Sequence, residues 1–243
     1  MKTARNEWQG RVVAIVIAWG LIVPGLFSPC IAGTSDNNPG IAPFQSSPYG
    51  KPHSEWAAHW WQWVLATPAD VNPVGGADCS GGQEGNVWFL FGSFDNAAVV
   101  KRECTVPSGT ALFFPLINAA YFAFLNDEPE TRTEEFLRAQ VNCSVASVLE
   151  ATIDGVPVRN PFQYFEESPL FDVQLPEDNI FGYTPEQVPE LLFSPSVDQG
   201  YYLFLWPLPP GEHEIHWEAA WTCPFGGFTI DATYSLTVRP GHN

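Results

Sequence analysis

Positive charge is what this chain of 243 residues has least of: ten Lys and Arg stand against 27 Asp and Glu, for a formal net charge of −17. That balance excludes the phosphate neutralisation on which nucleic-acid binding depends, and it disfavours anionic membrane surfaces as partners. Cysteine is sparse, with five residues and no C-x-x-C pair, so a cysteine zinc site has no starting point. The nucleophile elbow G-x-S-x-G, the H-E-x-x-H zinc helix, the phosphate-cradling glycine loop and the dinucleotide fingerprint are all missing. No apolar stretch reaches the roughly 20 residues of a membrane-spanning helix.

The longest apolar run, Val12 to Phe27, follows Lys2, Arg5 and Arg11 and precedes Cys30-Ile31-Ala32. This is the pattern of a secretory signal peptide cleaved after Ala32. An uncleaved anchor is the rival reading, but Gly20, Pro24 and Gly25 interrupt the run. A lipoprotein reading through Cys30 fits less well, because Phe27-Ser28-Pro29 lacks the aliphatic and small residues of such sites. Cleavage removes three positive charges and one negative charge, Glu7, so −17 becomes −19. The expected compartment is periplasmic or extracellular, without stable membrane insertion after cleavage. Four cysteines then remain, and an even count in an oxidising compartment predicts two disulfides. Of the three pairings, Cys79–Cys104 and Cys143–Cys223 are preferred, because Cys79 lies in a glycine-rich run before a strand and Cys104 ends the next one.

Residues 33–52, rich in Gly, Pro, Ser and Asn, read as an extended lead-in, and 53–243 as one domain. The segment Ser54 to Thr67 predicts a helix with Ser54 as N-cap, stopped by Pro68. It carries Trp56, Trp60, Trp61 and Trp63, with only Glu55, His59 and Gln62 on a polar stripe. A helix this apolar is normally covered on several sides. A second short helix is expected over Thr133 to Val145, capped by Thr131 or Thr133.

Strand signals fill the rest. Val87 to Phe94 and Ala97 to Cys104 flank Asp95-Asn96 and read as a hairpin, and Asp154-Gly155 is a strong primed-turn signal. Tyr201 to Trp206, Glu212 to Thr222 and Phe228 to Val238 follow. The expected fold is mainly β: an antiparallel β-sandwich, Ig-like or jelly-roll-like, with a Trp-rich helix near its N-terminus and one further short helix.

The stretches "HSEWAAHWWQW", "CTVPSGTALFFPLIN", "DGVPV", "LPEDNIFG" and "LPPGEHEIHW" resemble a group of uncharacterised secreted bacterial proteins, over about Tyr49 to Val238. The resemblance implies a common fold and no activity.

Candidate sites follow from residue type. Trp56 and Trp60, with Glu177 and Asp178 on the proline-marked loop, are candidates for binding an extracellular glycan or protein, although core packing is the favoured role for the tryptophans. Glu55, His59 and His216 are candidate catalytic groups for the alternative reading, a secreted hydrolase using acidic residues with a histidine; a structural matrix protein is a third. His213 and His216, three apart on a strand, point to opposite faces, whereas Glu212, Glu214, His216 and Glu218 share one. No cofactor is required. The 176–179 loop offers oxygen ligands of the kind calcium takes, although it lacks the spacing of an EF-hand.

Overall fold

A computed structural model of the chain describes residues 38, 40–76 and 78–239. The leader reading at 1–32 and the first part of the lead-in fall outside them. The described residues form α1 (His53–Ala66), β1 (Val87–Phe89), β2 (Ala98–Pro107), β3 (Ala111–Phe124), α2 (Glu134–Gln140), β4 (Val148–Ile153), β5 (Val156–Pro157), β6 (Phe165–Glu167), β7 (Phe171–Gln174), β8 (Leu192–Leu205), β9 (Gly211–Cys223) and β10 (Gly226–Arg239). Two five-stranded sheets result. One runs β1-β3-β8-β6, with β7 also on β8; the other runs β2-β10-β9-β4-β5.

The burial pattern explains the layering. β3 and β8 carry near-continuous apolar runs, "ALFFPLIN" and "GYYLFL", and are buried on both faces, as a central layer must be. β9 and β10 alternate, with Ile215, Trp217, Ala219 and Trp221 inward and Glu214, Glu218 and Thr222 outward, because one face of their sheet meets solvent. The core between the sheets joins Phe114, Leu203 and Leu205 to Trp217, Tyr234 and Leu236. A second core, between the other face of the β3-β8 sheet and α1, joins Phe113, Tyr202 and Phe204 to Trp60, Trp61, Trp63 and Val64. Fully burying side chains of this size contributes about 1.5–3 kcal/mol each. No described helix is long and apolar enough to cross a membrane.

The mainly β sandwich with a Trp-rich helix is as expected, but both sheets are mixed. β1 pairs with β3, and β2 with β10, in parallel. The hairpin expected across Asp95-Asn96 does not form: β1 and β2 belong to different sheets, and the chain crosses between them. α1 is capped two residues earlier than expected. Pro52 is its N-cap, with no side-chain cap bond, and its carbonyl accepts from the amides of Glu55 and Trp56, which places Ser54 inside the first turn. At the other end the Asn72 amide donates to the carbonyls of Val64 and Thr67, closing the last turn ahead of Pro68. α2 is shorter than expected and is capped by Thr133, whose hydroxyl accepts from the Phe136 amide. The Asp154-Gly155 turn is present, with both residues at positive φ, 51° and 73°. Both disulfides pair as expected, Cys79 with Cys104 and Cys143 with Cys223.

Candidate ligand cleft

The four tryptophans of α1 are anchors rather than a displayed platform. Each indole N–H donates to an internal acceptor: Trp56 to the Pro48 carbonyl, Trp60 to Leu90, Trp63 to Gly81, and Trp61 to Asp198 Oδ1 at 2.6 Å. Trp60, expected among the ligand-binding residues, is 1% exposed. The physical reason is the layering above, in which α1 lies flat on a sheet and its widest apolar stripe is sealed.

Beside these rings, however, the packing leaves a cleft of about 310 Å³. Its floor is the edge of β3 from Pro115 to Ala120. One wall is Trp60 and Trp61 with Phe91 and Phe94; the other is Trp221, Phe225, Phe228 and Ile230 from the β9–β10 hairpin. The cleft exists because β1 ends at Phe89, so the chain leaves β3 and crosses to the second sheet. That crossing is braced. The Tyr234 hydroxyl donates to the Phe91 carbonyl at 2.7 Å and accepts from the Phe91 amide, and the Arg102 guanidinium sits 5.5 Å from the Phe91 ring centroid. At position 92 a Cβ would lie 2.4 Å from Ile230 Cδ1, so any larger residue there would displace the tip of that side chain. Trp61 and Phe94 stack at 5.9 Å and 4°. At the mouth, Phe94 and Phe225 are 38% and 66% exposed, a large apolar area to leave in water.

Under the helix side of the cleft lies a polar network. Asp198 is fully buried on β8, and its Oδ1 accepts from both Trp61 and the Tyr202 hydroxyl, which in turn accepts from Asn118. Burial raises the Asp198 carboxyl to about 7 despite the hydrogen bonds from Trp61 and Tyr202. Its Oδ2 has no partner among the described residues. Trp61 and Asn118 therefore belong both to the cleft lining and to this network. Across β8, Glu166 pairs in register with Gly200, two residues from Asp198; burial raises its carboxyl to about 7 as well. Burial lowers His53, whose Nδ1 is 3.9 Å from Glu166 Oε1, to about 4.

The remaining predicted site residues are scattered. Trp56 and His59 line a separate groove on the far flank of α1, with Gln62, Glu84, Asn86 and Phe89. Burial, and then Lys51, lowers the His59 imidazole. Glu55 is exposed on the helix. His216 lies on the outward face of the second sheet, 3.0 Å from Asp231 Oδ1 and 3.9 Å from Glu218 Oε1, so both sheets separate it from the α1 groups. Glu55, His59 and His216 thus form no joint catalytic constellation. His213 faces away from His216, as the strand alternation predicts, and bonds Asp154 and the Pro209 carbonyl. Glu177 and Asp178 are exposed on a loop whose main chain is tied to Ala69 through the Asp178 carbonyl, and neither reaches the cleft lining. Among the described residues, neither joins any group of three or more His, Cys, Asp or Glu side chains close enough to share a metal ion; the one such group is His216, Glu218 and Asp231.

Asp198 and the cleft walls other than Trp60 escaped the sequence reading. A single carboxylate inside "SVDQGYYLFLW" was the available signal for Asp198, because a charge within an apolar run is a buried charge or a break in the element. Compared with known protein families, curated proteins and solved structures, the chain matches none.

Proposed function

We propose that this chain is a binding protein that works outside the cytoplasm and takes a ligand with an apolar, preferably aromatic, group into the cleft between Phe94 and Phe225. The single observation that carries the reading is the cleft itself. It is apolar, braced on both sides, and opens between two exposed phenylalanines, with a few polar groups such as Asn118 and Ser93 at its lining. Its volume lies at the lower end of the roughly 300–1,000 Å³ that ligand pockets span. The leader pattern and the two disulfides support the location.

A second reading, glycan binding, draws support from the groove of about 570 Å³ at Trp56, His59 and Gln62, where half-buried aromatic rings meet polar side chains. One titration separates the two. Phenylnaphthylamine, a neutral aromatic dye, is expected to gain emission with the wild type and to lose at least tenfold in affinity with Ser93→Trp, which fills the mouth, while Trp56→Ala/His59→Ala binds it unchanged. Soluble xylan and chitin oligosaccharides in the same cell report on the groove. Equal dye binding by wild type and Ser93→Trp would remove the cleft reading.

A further inference from the structure

The floor of the cleft is unusual in being a strand edge rather than a sheet face. β3 pairs with β8 along its length, but on its other side β1 covers only Ala111 to Phe113. From Pro115 to Ala120 no strand among the described residues lies against that edge. In an antiparallel ladder alternate residues direct N–H and C=O toward the partner, and the residues between them direct theirs away. Half of this stretch therefore presents its main-chain groups to the cleft. Among the described residues, no loop or side chain bonds the main chain of these six positions beyond the β8 pairing. Leu116, Ile117 and Ala119 are no more than 5% exposed, so the groups facing the cleft are sheltered rather than freely hydrated. Sheltered main-chain groups without a partner cost free energy, and the partner they fit best is another extended backbone.

We propose that the cleft receives an extended segment of a partner protein, which adds as a strand to the open edge of β3. This rests on the reading of the cleft as the ligand site and names the ligand's class. Strand addition supplies main-chain hydrogen bonds along about six residues, and alternate side chains of the guest fall to opposite sides. One set meets Trp61 and Phe94, the other Trp221 and Phe228, so the guest is apolar at both sets of inward positions. Its flanks are basic. The chain carries −17, and the wall residue Phe94 is followed directly by the exposed Asp95. Pro115, which has no N–H to offer, limits the pairing at that end and keeps the edge from acting as an unrestricted template.

The test uses the folded chain and a synthetic peptide of alternating Val and Phe with Lys at both ends, beside a twin N-methylated at alternate residues. Binding is read by tryptophan emission and by amide hydrogen exchange at Ile117 to Ala120. The expected result is saturable binding of the first peptide, slowed exchange at those amides, at least about tenfold weaker binding of the methylated twin, and loss of binding in Ser93→Trp. Equal affinity for the two peptides, or dye binding without peptide binding, overturns strand addition while leaving the cleft reading intact. Failure of dye and peptide alike removes both. Self-association with exchange slowed at the same amides in the absence of peptide assigns the edge to a second copy of the chain, and overturns the proposal.

Discussion

Asp198 shows how far a single side chain can depart from what its neighbours in sequence announce. Its carboxyl is fully buried, raised to about 7 by that burial, and holds Trp61 and Tyr202 in place. A carboxyl raised above its unfolded value of roughly 3.9 binds its proton more tightly in the folded state. Its contribution to stability is therefore complete below about pH 4 and is lost as the pH rises to about 7. Glu166, raised to about 7 by burial, has the same sign. His53, lowered to about 4 by burial, has the opposite one: its contribution is present above about 6.5 and is lost as the pH falls toward 4. Two carboxyls outweigh one imidazole in the window they share, so the urea midpoint is expected to fall as the pH rises from about 4 to about 7. Asp198→Asn keeps an oxygen for both donors and removes the titration. A flatter midpoint profile is expected of it, and a profile parallel to the wild type would show that another group sets the slope.

Elements built from local signals were legible, and those defined by distant partners were not. The Asp154-Gly155 hairpin needs only two residues that tolerate positive φ, and it forms where the sequence puts it. Helix α1 is visible in its apolar pattern; its start is not, because Pro52, with φ fixed near −65°, serves as the cap without a side-chain bond. The supposed β1–β2 hairpin had suitable turn residues, yet each strand finds a parallel partner far along the chain, and period-two alternation carries no record of which strand that is. The open edge of β3 is illegible for the same reason, since it is defined by where β1 stops. In α2 a local signal decides stability. Thr133 caps a helix of seven residues, too short to hold itself, so Thr133→Ala is expected to cost about 1 kcal/mol in equilibrium unfolding. Thr133→Ser should restore most of it, and equal stability of all three would mean that packing of Leu137 alone holds the helix.

At the scale of the molecule, two disulfides close loops of very different size. Cys79–Cys104 spans 25 residues, and Cys143–Cys223 spans 80. If cross-links act chiefly by restricting the unfolded chain, removing the first costs about 3.5 kcal/mol and the second about 4.5 kcal/mol. Paired Cys→Ala replacements measured by denaturant unfolding are expected in that order, and the reverse order would mean that native contacts, such as the loop held under Trp63, dominate instead. The parallel pairing of β2 with β10 imposes a further condition on how the chain comes into being. β10 sits between β2 and β9, so the second sheet has no continuous centre until residues 226–239 are present. A chain delivered from its N-terminus, whether from a ribosome or through a membrane pore, can assemble the β3-β8 pair early, but must carry an edge of β2 unpaired until residues 226–239 have emerged. Helpers that shelter exposed strands therefore have their longest task on this chain at Ala98 to Pro107, and a stop before residue 226 would leave a product whose second sheet cannot close.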